Sequence, residues 1–157
     1  IPCYNSAATL QAAVESAVSQ PAVENVWLID DASIDDTRLI MSDLAAIHPK
    51  VRCEYMLENG GAAKARNWGA MQSQADFIAF LDADDWCHPE RIERQVLPLL
   101  ADPEVVATHA LAIRAGEDLR LAWLGYPAPP WWRRTRRGTV TMWSFHRPNA
   151  RTCGDPT

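Results

Sequence analysis

The sequence predicts an α/β fold built on a doubly wound, mostly parallel sheet. Short apolar runs alternate with segments of helical period from Leu10 to Leu99. Two of those runs, Val26-Trp27-Leu28-Ile29 and Phe77-Ile78-Ala79-Phe80-Leu81, stop abruptly at aspartates, and such sheets bind ligands at the carboxyl ends of their strands. A chain of 157 residues with 48% apolar character has enough material for one core and too little for two.

Leu10, Val14, Ala17 and Val18 recur at helical spacing and predict the first helix, with Asn5 or Ser6 as its cap and Pro21 at its exit. Val26 to Ile29 follows as a buried strand ending in Asp30 and Asp31. Ser33 is placed to cap a second helix, which carries Ile40, Leu44 and Ile47 on one face. Val51 to Leu57 alternates as a second strand, and Asn59-Gly60-Gly61 then breaks the chain before an alanine-rich helix from Ala62 to Ser73. Phe77 to Leu81 is a third buried strand, ending in Asp82, Asp84 and Asp85. Pro89 opens a helix with Ile92, Val96 and Leu99 on one face. Val105 to Ile113, a turn at Gly116 and Leu119 to Leu124 predict a hairpin. After Gly125 the periodicity fails. Residues 1–124 therefore read as the domain and 125–157 as an irregular tail rich in Pro, Trp and Arg.

No window reaches the roughly 18 to 20 apolar residues of a membrane span, and no basic segment leads into a long apolar run at the start. The chain is expected to be soluble and, since it starts at Ile1, inside a motif, is expected to be a fragment. Cys3, Cys53, Cys87 and Cys153 form no C-x-x-C pair, which argues against a zinc site or a disulfide framework and suits a reducing, cytoplasmic setting. His48, His88, His109 and His146 show no ligand spacing. The net charge of -5 is split: residues 1–113 carry 7 basic and 17 acidic side chains (-10), and 114–157 carry 8 and 3 (+5). The first part is expected to bind cations and the tail to seek anions, with no nucleic-acid partner.

An aspartate is costly to bury unless it is paired, hydrogen-bonded or bound to a cation, so the group after Leu81 calls for a counter-charge. Oxygen-only ligands favour Mg²⁺ or Mn²⁺, which takes one or two carboxylates and shares its remaining positions with water and phosphate. In Asp82-x-Asp84, one carboxylate can face the ion and the other the ligand that it holds. The plain alternative is a set of solvated turn acids that cap a helix. Asp31, at the end of a different strand, is expected near the same crevice, where it could accept from a base or ribose donor. Lys64 and Arg66 begin a helix after the Gly-Gly break, where phosphates could approach free N–H groups. A solvated helix face is the competing reading for these two.

Four motifs in order carry a resemblance. Pro2-x-Tyr4-Asn5, Ile29-Asp30-Asp31-Ala32-Ser33 with Asp35 and Thr37, Asn59-Gly60-Gly61 with Ala65-Arg66-Asn67-x-Gly69, and Phe80-Leu81-Asp82-Ala83-Asp84-Asp85 with Pro89 and Arg91 together resemble the family 2 glycosyltransferases of GT-A, Rossmann-like fold. The likeness runs from Ile1 to about Ile113. It implies that Pro2, Tyr4 and Asn5 lie beside a nucleotide, with Tyr4 lining the base pocket. Asp31 would accept from N3 of uracil, with Asp30 supporting the strand end. Arg66 would lie near the nucleotide and its phosphates, Asp82 on the ribose side, and Asp84 on the metal, Mn²⁺ or Mg²⁺. Packing for Tyr4 and helix capping for Asp30 are the alternatives. The implied reaction is transfer of a sugar from a nucleotide diphosphate, UDP by family habit, to an acceptor hydroxyl with inversion. The acceptor could be a carbohydrate, a lipid or a protein.

The pattern also departs from the family. Relatives place the general base after the hairpin region, whereas here the later acids are only Glu117, Asp118 and Asp155. The first two read as a hairpin turn, so the base is expected to be absent and the catalytic residue unknown. Ile1 would be the last residue of the relatives' first strand, so most of that strand and the acceptor half are expected to be missing. A non-catalytic nucleotide-sugar-binding remnant is thus one alternative function. A haloacid dehalogenase-type phosphatase is another, although Trp86 stands where that family expects threonine or valine. Trp131, Trp132, Arg133, Arg134, Arg136 and Arg137 could dock at an anionic membrane on its cytoplasmic face or hold an anionic acceptor. They could equally belong to an unstructured end.

Overall fold

The computed structural model describes residues 1–110, 113–114, 123–124 and 144–146. Its first sheet has the order β1-β2-β3, formed by β1 (Pro2–Cys3), β2 (Val26–Asp30) and β3 (Val51–Tyr55), all parallel. The register runs from Val26 opposite Val51 to Asp30 opposite Tyr55, with Pro2 opposite Ile29 on the other side. Parallel strands need a crossover between them, and α1 (Leu10–Val18), α2 (Thr37–Ile47) and α3 (Ala62–Gln72) supply helices along the chain.

The middle strand shows why the sheet is doubly wound. Successive side chains of a strand point to opposite faces. Leu28 joins the core formed with Leu10 and Val14 of α1 and with Met41 and Leu44 of α2. Its neighbour Ile29 faces α3, where a Cβ on Gly69 would lie 3.0 Å from Ile29 Cγ1. Glycine at 69 therefore lets α3 approach the sheet closely. A strand covered on both faces has to be apolar on both, and Val26, Leu28 and Ile29 are all buried.

Beyond α3 come β4 (Phe77–Ala79), α4 (Arg91–Ala101) and β5 (Ala107–Thr108). The strands β6 (Ile113–Arg114) and β7 (Trp123–Leu124) pair antiparallel, Ile113 opposite Leu124, in keeping with the expected hairpin. The last strand, β8 (Ser144–His146), lies between β4 and β5 and is antiparallel to both. It falls in a stretch where no ordered element was expected. Its pairing is long-range, with Phe77 opposite His146, so no local periodicity announces it. Trp131, Trp132 and the arginines from Arg133 to Arg137 lie outside the described residues, as do Glu117, Asp118 and Asp155.

Several boundaries differ from expectation. Thr9, not Asn5 or Ser6, occupies the N-cap position of α1, and α2 begins after Asp36 with no cap from Ser33. The Asn5, Ser6 and Ser33 groups are used between loops instead. Ile47, assigned to the inner face of α2, is exposed, and β3 stops at Tyr55, leaving Leu57 in solvent. The third strand is shorter than Phe77 to Leu81 and only half-buried. A cavity of about 400 Å³ lies beside it, lined among others by Ile29, Ala65, Gly69, Phe77 and Phe80. Asp31, Asp82 and Asp84 do not line that cavity.

Candidate functional site

Asp30, the last residue of β2, and Asp31, which follows it, turn to different loops. Asp30, wholly buried, accepts from the Ser33 N–H at 3.1 Å and from Arg38 Nε at 2.6 Å. This closes the turn over Ala32, which sits at φ +60°, a left-handed conformation that costs an L-residue roughly 1–2 kcal/mol. Asp31, 1% exposed, accepts the N–H groups of Gly60 and Gly61, each at 2.7 Å. Its own N–H donates to Cys3 O at 2.8 Å, which ties the end of β1 to the same corner.

The loops after β1 and β2 are clasped by side chains. Asn5 N–H donates to Ser33 Oγ and the Ile34 N–H to Asn5 Oδ1, both at 3.0 Å. The Ser6 N–H reaches Thr37 Oγ1 at 2.8 Å, and the Ala7 N–H reaches Asp35 at 3.1 Å. Hydrogen bonds from Thr37 and from backbone N–H groups hold the Asp35 carboxyl below its ordinary pKa. Asn5, with φ +49°, thus spends its side chain on the loop. Pro2 is fixed in the β1 ladder, and Tyr4, just after β1, is half-exposed.

Gly61 begins α3 at φ +83° and ψ 158°, a conformation essentially reserved for glycine. The first intrahelical bond runs from Ala65 N–H to Gly61 O. The N–H groups of Ala62, Ala63 and Lys64 therefore have no partner within the helix, which makes this end attractive to an anion. Lys64 is exposed and pairs with Glu58 at 3.2 Å, the behaviour of a solvated face. Arg66, two residues further, forms an ion pair with Asp82. The third helix thus joins two strand ends: its leading glycines are held by Asp31, and its Arg66 holds the corner after β4.

That corner is anchored from beneath. The Cys87 N–H donates to Ser16 Oγ at 3.0 Å and the Ile92 N–H to Gln20 Oε1 at 2.9 Å. Arg91, buried, donates to Phe80 O and to Cys87 Sγ, both at 2.8 Å, and to Gln95 at 2.9 Å. Sequence reasoning passed over Ser16, Gln20 and Arg38. The only signal for the first two is a polar residue on the buried stripe of α1 and another just past its end, and for Arg38 it is a cation in the first turn of a helix that follows a buried acid. Asp85 N–H donates to Asp82 O at 3.1 Å, which makes the acidic segment a tight turn with Asp84 exposed.

Among the described residues no three Asp, Glu, His or Cys side chains converge on one point. An all-protein cage is not what this turn offers. One exposed carboxylate does suit a Mg²⁺-like ion, which takes one or two protein carboxylates and completes its shell with water and phosphate.

The family model described as glycosyl transferase family 2 matches residues 1–150. The chain belongs to that family. Its glycosyltransferase relatives include a putative teichuronic acid biosynthesis glycosyltransferase, TuaG, of Bacillus subtilis, 35% identical over 97 residues, with 60% of this chain and 38% of the relative covered. Chondroitin synthase of Pasteurella multocida is 31% identical over 147 residues, covering 93% of this chain and 15% of that one. The chain thus spans well under half the length of these relatives. Among solved structures, TarS 1–349 of S. aureus superposes with a TM-score of 0.64 at 22% identity, over 80% of this chain and 36% of that one. This likeness carries the GT-A fold alone. A mannosyltransferase of Pyrobaculum calidifontis, solved with GDP-Man and Mn²⁺, has a TM-score of 0.64 at 25% identity, over 72% of this chain and 34% of that one. Among the described residues no helix is long and apolar enough to cross a membrane.

Proposed function

We propose that this chain forms the donor side of a glycosyltransferase site that takes a nucleotide diphosphate sugar, with UDP as the nucleotide, and transfers the sugar to an acceptor hydroxyl with inversion. One observation carries the reading. A single helix, α3, is held at its start by Asp31 and pairs through Arg66 with Asp82, so that a helix N-terminus, a guanidinium and an exposed Asp84 share one region.

In this reading the N–H groups of Ala62 to Lys64 and the Arg66 guanidinium face the diphosphate, Asp82 faces the ribose, and Tyr4 lines the base pocket, with Pro2 and Asn5 beside the nucleotide. Lys64, released from Glu58, adds positive charge. Asp84 would hold the Mn²⁺ or Mg²⁺, which when bound stabilises charge on the departing diphosphate. For Arg66, turning from Asp82 toward phosphate exchanges one anionic partner for another, so the guanidinium is never left unpaired. Deprotonation of the acceptor needs a further base, and no residue is assigned to it. The complexes of relatives with UDP and with GDP-Man and Mn²⁺ support the donor class.

Calorimetric titration of the protein and of Asp84→Ala with UDP, with and without Mn²⁺, tests the reading. Mn²⁺-dependent UDP binding that Asp84→Ala abolishes is expected. Undiminished binding by the variant would remove the metal from the proposal, and no binding of UDP by the unaltered protein would remove the donor site. Binding without transfer to any acceptor would favour the remnant.

A further inference from the structure

We infer that Arg91 is a positioning residue, which closes the neck of the acidic turn and so sets where Asp82 and Asp84 stand. The inference rests on the donor site proposed above and concerns how that site is held.

Arg91 is the first residue of α4, and its side chain reaches back to both ends of the segment before it. Nη2 donates to Phe80 O, just past the end of β4, and Nη1 to Cys87 Sγ, each at 2.8 Å. One guanidinium thus joins the residue that enters the turn to the residue that leaves it. Between them Leu81 and Ala83 go into the core, as does Cys87. Asp82 and Asp84 alternate with those two, and they are half-exposed and exposed. The clamp itself is held firmly. Nε donates to Gln95 Oε1 at 2.9 Å, one turn along α4, the Arg91 N–H donates to His88 O at 2.9 Å, and the Cys87 N–H to Ser16 Oγ of α1 at 3.0 Å.

The choice of arginine points to the same role. Arg91 is 8% exposed, and its three side-chain partners are a carbonyl, a sulfur and an amide, with no carboxylate among them. A permanent charge is costly to bury without a counter-ion, and apolar packing can fill such a place equally well. What arginine adds is a rigid planar fork, whose separate nitrogens reach separate acceptors at fixed angles. Opening the neck removes no group that would touch a ligand. It frees Asp84 to move relative to Arg66 and the start of α3.

Amide hydrogen exchange by NMR on the whole chain tests this without a ligand. Cys87→Ala removes one acceptor, and Arg91→Lys keeps the charge but loses the fork. In both, exchange of the Asp85 N–H, bonded to Asp82 O at 3.1 Å, is expected to rise about tenfold or more. The Met56 amide, bonded to Asp30 O at 2.8 Å, keeps its protection. Cys87→Ser restores an acceptor and is expected to recover most of the protection at Asp85. Unchanged exchange at Asp85 overturns the inference, because the packing of Leu81 and Ala83 then holds the turn unaided. So does a rise shared equally by Met56, since Arg91 would then support the whole fold. If Arg91→Lys does not fold, the two Cys87 variants decide. Calorimetry on the same folded samples reads the site. Mn²⁺-dependent UDP binding is expected to weaken about tenfold or more in Cys87→Ala and to return in Cys87→Ser. Full affinity in Cys87→Ala overturns the inference. If the unaltered protein binds no UDP, the donor reading fails instead, and the exchange data still decide the role of Arg91.

Discussion

The Arg66 guanidinium on α3 is paired with the Asp82 carboxylate beyond β4, so two segments that share no strand pairing are joined by one ion pair next to the acidic turn. Both side chains are a third or more exposed, 33% and 46%. Such a pair adds only about 0–1 kcal/mol to stability.

Replacing Arg66 therefore separates stability from binding. Arg66→Ala is expected to leave the thermal midpoint nearly unchanged and to weaken Mn²⁺-UDP binding tenfold or more, an order of magnitude set by the loss of a charge-assisted contact. Circular dichroism melts and calorimetry on the same samples check both halves.

Arg38 behaves differently, because its partner is wholly buried. Arg38→Ala leaves the Asp30 carboxylate with the Ser33 N–H as its remaining donor among the bonds described above. The expected loss is about 1–3 kcal/mol in a urea titration. The double variant Asp30→Asn/Arg38→Ala should recover part of it, since no uncompensated charge is then buried.

The two glycines before α3 should respond unequally to alanine. At Gly60 a Cβ would meet Lys64 Cδ at 2.2 Å, a flexible side chain that can swing away. At Gly61 the backbone itself is unfavourable to an L-residue. Gly61→Ala is expected to cost about 1–3 kcal/mol and Gly60→Ala distinctly less, as read from denaturant midpoints.

His109 makes stability depend on pH. Both ring nitrogens are sealed from solvent, and burial pushes its pKa down to about 4 from the ordinary 6.5. Between those values the unfolded chain binds a proton that the folded chain does not. The contribution is thus complete above about pH 6.5 and is lost as pH falls toward 4. The urea midpoint of His109→Gln should fall less between pH 7 and pH 4.5 than that of the unaltered protein.

Much of the first hundred residues is legible in the sequence because its signals are local. Helical spacing shows α1 to α4, and apolar runs show β2 and β4, since period and burial act over a few residues. The caps are not legible: Ser33 and Asn5 have cap-forming chemistry, but partners about thirty positions away claim their hydrogen bonds. Lys64 and Arg66 look equivalent along the chain, yet one pairs with Glu58 in solvent and the other reaches Asp82. Ser16 and Gln20 are invisible as functional residues for the same reason, because the amides they hold belong to residues 87 and 92.

By itself the sequence determined the α/β class, the family and the aspartates at the strand ends, because these depend on residue type, order and short-range period. Only the tertiary structure decided that Asp30 serves the Arg38 side while Asp31 serves the glycine turn, and that β8 inserts between β4 and β5. Adjacent side chains of a strand point opposite ways, and a hydrogen bond or ladder pair joins whatever folding brings within about 3 Å, a distance that spacing along the chain does not encode.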